Sequence, residues 1–191
     1  FLHAGVGFGG SCLPKDISSL YHLATSSGYE PEIIRAILEL NRELPARAVG
    51  KLKSELGDLA NKTIGVLGLA FKPNTDDLRE APSISIIQQL IGENARVRVF
   101  DPVAMDNFKS TGLDVVYCNS AYETAEGCHG LMLVTEWNEF RQLDLPRLKG
   151  LMKEPVFVDC RNVYKPDRLA QQGFRYRSFG RGVVRRSPQN D

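Results

Sequence analysis

Apolar positions along this chain follow two different rhythms. Up to about residue 57 they recur at helical spacing. Ile17, Leu20, Tyr21, Leu23 and Ala24 form one set, and Ile33, Ile34, Ile37, Leu40, Leu44, Ala48, Leu52 and Leu56 form a second near i, i+3, i+4, so residues 17–57 read as helical with one apolar stripe. Pro45 interrupts the second set and either kinks one long helix or divides two, because proline removes a backbone donor and crowds the preceding turn. Gly57 supplies the stop. From Lys62 the rhythm shortens. Runs rich in β-branched residues at 63–67, 96–100, 114–117, 130–134 and 156–158 read as buried parallel strands, with intervening segments long enough for crossover helices. Residues 174–178 add a last strand, and 181–191 read as a frayed basic tail. The expected fold class is α/β: a doubly wound, parallel, Rossmann-like sheet preceded by a helical segment.

Composition narrows the class further. A chain of 191 residues, 42% hydrophobic and 25% charged, can bury one good core plus a helical appendage without disulfide staples. The net charge of +1 gives no broad attraction to nucleic acid or to a membrane surface. No apolar run approaches the roughly 20 residues that span a bilayer. Cys12, Cys118, Cys128 and Cys160 lie far apart, with no Cys-x-x-Cys pair and no clustered histidines. Neither a metal site nor a disulfide framework is indicated, and a reducing, cytoplasmic setting is expected.

The chemistry concentrates near the start. In Gly5-Val6-Gly7-Phe8-Gly9-Gly10-Ser11-Cys12-Leu13-Pro14-Lys15-Asp16, four glycines within six residues suggest a loop that wraps something, since glycine permits positive φ and close approach to the main chain. A cysteine placed just after it is a candidate nucleophile, because a neighbouring ammonium such as Lys15 or the amides opening a helix would favour its thiolate form. Lys15 could instead touch a bound anion. An inert buried thiol is the competing reading of Cys12, and an N-cap for the following helix is the competing reading of Asp16. Further on, a strand, a turn with Gly65 and Gly68, and a second strand ending at Asp101 imitate a dinucleotide fold. The turn nevertheless lacks Gly-x-Gly-x-x-Gly and carries Phe71-Lys72 where a pyrophosphate would lie against glycine.

Residues 1–16, Phe1-Leu2-His3-Ala4 continuing into the glycine loop and Pro14-Lys15-Asp16, resemble the catalytic segment of the UDP-glucose/GDP-mannose dehydrogenase family. Three later segments agree in order: Gly68-Leu69-Ala70-Phe71-Lys72-Pro73-Asn74-Thr75-Asp76-Asp77-Leu78-Arg79-Glu80, Thr135-Glu136-Trp137-Asn138-Glu139-Phe140, and Val158-Asp159-Cys160-Arg161-Asn162-Val163-Tyr164. The second of these is more similar to the UDP-glucose 6-dehydrogenases than to the GDP-mannose enzymes. Cys160 departs from the family pattern, which usually has glycine between the aspartate and the arginine.

The resemblance implies a division into a thiol loop with a central helical dimerisation region (1–57), a nucleotide-sugar domain (58–181) and a tail (182–191). It also implies an N-terminal NAD domain preceding residue 1, so that the chain is expected to be an enzyme fragment, inactive alone. The implied activity is oxidation of UDP-glucose to UDP-glucuronate with NAD, through a thiohemiacetal and a thioester on Cys12, with Asp16 acting on water. Phe1, Leu2, His3, Ala4, Gly5, Gly9, Lys72 and Arg161 would bind the sugar nucleotide. Lys15 and Arg79 would face NAD, although Asp76, Asp77 and Glu80 offer Arg79 structural ion pairs. No metal is implied. The helical stripe would bury against a second copy, or alternatively pack on its own domain. The alternatives for function are a dehydrogenase of another nucleotide sugar, such as GDP-mannose or a UDP-N-acetylhexosamine, and a non-catalytic nucleotide-sugar-binding or dimerisation module.

Overall fold

Pro14 opens the first helix earlier than the apolar pattern suggests. In the computed structural model, which describes residues 4–182, α1 spans Leu13–Ser26 with Cys12 as its N-cap residue. A proline within the first turn loses nothing by lacking an N–H, and its fixed φ already suits the helix. Asp16 therefore lies inside the first turn, where its N–H donates to the Cys12 carbonyl at 2.8 Å, and it is not the cap. Gly28, at φ +78°, ends this helix, and after Pro31 α2 runs over Glu32–Leu56 as one helix with Pro45 inside it. Helical residues thus fall into two helices separated by 27–31. Gly57, at φ +73°, closes α2 and donates its N–H to the Lys53 carbonyl.

The remaining chain alternates strands and helices: β1 (Thr63–Leu67), α3 (Pro82–Gly92), β2 (Arg96–Phe100), α4 (Met105–Lys109), β3 (Val116–Tyr117), α5 (Ala121–Ala125), β4 (Gly130–Leu133), α6 (Asn138–Arg141), α7 (Leu145–Leu151), β5 (Val156–Asp159), α8 (Pro166–Gln171) and β6 (Arg175–Ser178). All neighbouring strands pair in parallel, in the order β3-β2-β1-β4-β5-β6. The order reverses between β1 and β4. The run expected at 114–117 contributes only two paired residues, Val116 opposite Arg98 and Tyr117 opposite Val99, since an edge strand has a single neighbour to align it. Val134 leaves the ladder after Leu133, and Phe174 precedes β6 as a core side chain.

Strand periodicity divides the core between the two faces of the sheet. Ile64, Val66, Val97, Val99, Met132, Val156 and Val158 meet Ala48, Val49 and Leu52 of α2 and Ile86, Ile87 and Leu90 of α3. Leu131, Leu133 and Phe157 point the other way, onto Phe140, Leu145, Leu148, Leu169, Phe174 and Tyr176. Pro45 marks a change in the apolar stripe of α2. Beyond it the stripe is buried on the sheet; before it Ile33 is 79% exposed and Ile37 and Leu40 lie open, as do Leu20 and Leu23 of α1 and Tyr29 between the helices. No helix among the described residues is long and apolar enough to cross a membrane.

Candidate functional site

In an open parallel sheet the crevice for a ligand lies at the carboxyl ends of the strands where the order reverses, here the ends of β1 and β4. The turn 68–80 leaves β1, 134–137 leaves β4 and 160–162 leaves β5. Gly68, at φ +89°, is required by packing: a Cβ there would sit 2.5 Å from Thr135 Cβ. The Thr135 hydroxyl in turn donates to the Ala70 carbonyl at 2.6 Å, tying the β1 and β4 turns together.

Asp101, following β2, is 1% exposed and gathers five N–H donors. Its Oδ2 accepts from the Leu69 and Ala70 amides and from Trp137 Nε1 at 2.7, 3.2 and 3.0 Å, and its Oδ1 accepts from the Val103 and Ala104 amides, both at 2.9 Å. In a dinucleotide fold an acidic group near this position receives a ribose hydroxyl. Here the carboxylate is spent on the protein's own loops. Together with the missing glycine fingerprint and the Thr135 packing, this means that the sheet does not fit a dinucleotide in its first turn.

The glycine loop wraps protein. The Val6 amide donates to the Cys160 carbonyl at 3.0 Å, and the Gly10 amide donates to the Arg79 carbonyl at 2.8 Å. A Cβ at Gly5 would meet the Cys160 carbonyl at 2.8 Å, and one at Gly10, at φ +87°, would meet the Phe71 ring at 2.7 Å. At Gly9 the space is filled by the Glu80 carbonyl, and at Gly7 by Asn41 Oδ1. Four glycines are thus explained by close approach of the loop to α2, to the β1 turn and to the end of β5.

Cys12 emerges from this seat exposed, with Ser11 Oγ 3.7 Å from its Sγ. Lys15 and Arg79 lie within electrostatic reach of a Cys12 thiolate. Lys15 also pairs with Asp16 at 3.1 Å, both side chains open to solvent. Arg79 is held by Asp77, with Nε and Nη2 reaching both carboxylate oxygens, and this pairing holds the Asp77 carboxyl below its ordinary range. Cys118, Cys128 and Cys160 are buried. Burial pushes the Cys128 thiol up to about 12, and raises Cys160 as well.

Arg161 and Glu136 form a two-pronged pair across the ends of β5 and β4, Nε to Oε2 at 2.6 Å and Nη2 to Oε1 at 2.9 Å. Burial alone would raise the Glu136 carboxyl, but the hydrogen bonds and charge of Arg161 outweigh it and hold the group below its usual range. Arg161 Nη1 donates to the Gly7 carbonyl at 3.3 Å, so the guanidinium also touches the thiol loop. Lys72 is exposed over the Phe71 ring at 5.4 Å. Ala4 is exposed, its carbonyl 3.4 Å from Asn162 Nδ2. Phe1, Leu2 and His3 lie outside the described residues. Among the described residues no group of three or more His, Cys, Asp or Glu side chains could hold a metal ion.

Comparison with known proteins decides the family. Residues 65–166 match the UDP-binding domain of the UDP-glucose/GDP-mannose dehydrogenase family, and residues 1–43 match its central domain. The chain belongs to this family. It is 44% identical over 185 residues to a UDP-glucose 6-dehydrogenase of Rhizobium meliloti, and 39% identical over 192 residues to UDP-glucose 6-dehydrogenase TuaD of Bacillus subtilis, alignments that cover 95% and 100% of the chain. A UDP-glucose dehydrogenase from Pyrobaculum islandicum superposes with a TM-score of 0.80 at 36% identity, covering 92% of this chain and 38% of that one. The chain spans 42% of the length of these two curated relatives.

In this member of the UDP-glucose/GDP-mannose dehydrogenase family, the geometry brings Cys12, Lys15, Asp16 and Arg79 to the start of α1, and Gly5 and Arg161 to the end of β5. Lys72 stands on the β1 turn. Sequence reasoning missed Asn41, Glu136 and Asp101 as builders of the site. Glu136 and Asp101 stood in or beside segments already singled out, but a polar residue such as Asn41 on a helix carries no local mark of its partner.

Proposed function

We propose that this chain is the thiol-bearing and nucleotide-sugar-binding portion of an NAD-dependent UDP-glucose 6-dehydrogenase. The observation that carries the reading is the seat of Cys12: an exposed thiol at the start of α1, on a loop pinned to the carboxyl end of β5 and to the turn after β1. Open α/β sheets receive ligands at that edge. The names of the relatives at 39 and 44% identity support the substrate.

In this reading Lys72 faces the diphosphate as a compact charge, and Arg161, already neutralised by Glu136, offers its remaining N–H groups to polar oxygens of the ligand. Ala4, Gly5 and Gly9 line the sugar through their backbone. The C6 alcohol loses a hydride and a proton to become an aldehyde. The Cys12 thiolate adds to the aldehyde carbon, forming a C–S bond while the oxygen takes a proton. Loss of a second hydride and of that proton leaves a thioester, and water then attacks the carbonyl carbon, breaking the C–S bond and releasing carboxylate and thiol. Asp16, one helical turn from Cys12, orients that water. Two NAD+ bound in succession would supply the oxidant, one hydride and two electrons each. Lys15 and Arg79, both exposed near the start of α1, would be the residues of this chain that hold NAD.

The open apolar face of Leu20, Leu23, Ile33, Ile37 and Leu40 packs against a second copy in this reading. Calorimetric titration with UDP-glucose, GDP-mannose and a UDP-N-acetylhexosamine tests the substrate assignment. UDP-glucose is expected to bind tightest. Tighter binding of GDP-mannose, or of no nucleotide sugar at all, overturns it.

A further inference from the structure

The loop that carries Cys12 is also held by a side chain of α2, Asn41, whose part in placing the thiol none of the foregoing assigns. Asn41 Oδ1 accepts the Phe8 N–H at 2.9 Å, and its Nδ2 donates to the Phe8 carbonyl at 3.0 Å, so one carboxamide satisfies both polar groups of a single loop residue. A carboxamide of this length donates and accepts at once from two atoms held in one plane. Aspartate cannot donate, and leucine, of similar shape, does neither. The preceding residue is fitted to the clamp: Gly7 stands at φ +100°, and a Cβ there would collide with Asn41 Oδ1 and lie 3.4 Å from Leu44 Cδ1. On the opposite side Arg161 Nη1 holds the Gly7 carbonyl, and Val6 and Gly10 are tied by their own amides. The loop is therefore pinned from both sides four residues before Cys12.

We infer that Asn41 is a positioning residue for the thiol: by clamping Phe8 it fixes the path of the loop, so that Cys12 is delivered to the start of α1, in the same neighbourhood as Lys15 and Arg79. The inference rests on the reading of Cys12 as the working nucleophile. It goes beyond that reading by giving the central helix a part in the chemistry. Asn41 lies one turn beyond Ile37 and one turn before Leu44 and Pro45, between the open apolar face of α2 and its buried half. The same helix that offers a surface to a partner thus sets the thiol loop.

A pair of alkylating reagents tests this on the chain as it stands. Iodoacetate is anionic and iodoacetamide neutral, so the ratio of their rates at Cys12, read by peptide mass spectrometry, reports the positive field around the sulfur while the thiolate fraction cancels. Lys15 and Arg79, each partly offset by its carboxylate partner Asp16 or Asp77, should raise this ratio up to about twofold over that of the urea-unfolded chain. Asn41→Leu should bring it down to the unfolded value and speed hydrogen exchange at the Phe8 amide. Gly7→Ala attacks the same clamp from the loop side and should do likewise, which keeps the test open if Asn41→Leu fails to fold. Leu52→Ala truncates a fully buried core side chain and should lower stability while leaving the ratio unchanged, so that lost stability alone does not move the ratio; a purely structural role for Asn41 would likewise leave Asn41→Leu at the wild-type ratio. A folded Asn41→Leu or Gly7→Ala protein with the wild-type ratio overturns the inference. If the ratio falls as expected but no acyl adduct forms on Cys12 when the chain turns over UDP-glucose as part of a whole enzyme carrying a nicotinamide domain, the positioning stands and the nucleophile reading alone is lost.

Discussion

Replacing Asp101 by asparagine should destabilise the protein severely although the two side chains have the same shape. The carboxamide would keep one oxygen, enough for two of the five donors that now converge on the carboxylate. If that oxygen serves Val103 and Ala104, an NH2 group faces the Leu69 and Ala70 amides and the Trp137 indole, turning three charge-assisted hydrogen bonds into donor-to-donor contacts. Hydrogen bonds to charged groups contribute about 1.5–3 kcal/mol each, and a buried unsatisfied donor costs about 1–3 kcal/mol. The three share one acceptor and do not add independently, so about 3–5 kcal/mol is the expected loss. For a chain of this size each kcal/mol moves the midpoint by roughly 2–4 °C, which places the fall in melting temperature near roughly 10 °C. Circular dichroism melts and urea titrations with equal slopes measure it. The alternative is that Asp101 acts as a ribose-binding carboxylate. It then gives the opposite pattern: a variant within about 1 kcal/mol of wild type, the scale of one neutral hydrogen bond, and a large change in nicotinamide affinity. That outcome would refute the assignment of Asp101 to the protein's own loops.

Three further outcomes follow from the geometry. In the native protein Cys12 should be alkylated well before Cys118, Cys128 and Cys160, since it alone is exposed, and equal labelling rates by mass spectrometry would contradict the burial pattern. The folded-state carboxyl of Glu136 lies below its unfolded value, so the unfolded chain binds more protons in acid; the pair's contribution is complete above about pH 4.3 and is lost as pH falls through the depressed folded value. Asp159 is shifted the other way by burial, so the comparison of wild type with Glu136→Gln in acid urea titrations isolates the pair, and parallel pH curves would rule it out. Ile33→Glu with Ile37→Glu should convert a dimer to a monomer in light scattering without unfolding it, because both side chains lie open on α2; a wild-type monomer at high micromolar concentration would remove the partner reading.

The sheet was legible because a buried parallel strand writes its burial into four or five consecutive residues. β1, β2, β4 and β5 each appear within a residue or so of their expected bounds, whereas β3, with one neighbour, keeps only the two residues that Arg98 and Val99 align. Helix starts were harder. The apolar pattern places the first helix at Ile17, but Pro14 and the free N-terminal amides start it at Leu13, and this converts Asp16 from a cap into a first-turn acid. The apolar stripe of α2 reads as continuous in sequence, yet only the half beyond Pro45 meets the sheet, because nothing in the spacing of leucines says where the neighbouring layer ends.

The glycine loop shows why a site's chemistry is easier to read than its support. The cysteine, lysine and aspartate announce themselves by residue type, and glycine announces close approach, but sequence alone leaves open what approaches. Each glycine here answers to a group far along the chain: Gly5 to Cys160, Gly7 to Asn41, Gly9 to Glu80 and Gly10 to Phe71. Those partners come from three separate elements that only the tertiary fold brings to one loop. Cys160 illustrates the same point from the other side. Its side chain joins the core beneath β5 while its amide donates to Leu133 and its carbonyl receives Val6, so the backbone connection from sheet to thiol loop runs through a residue whose side chain is buried. The connection is made by the main chain, which is why a cysteine can stand there: the position demands a peptide group at that point on the sheet edge, and its side chain is free to serve the core.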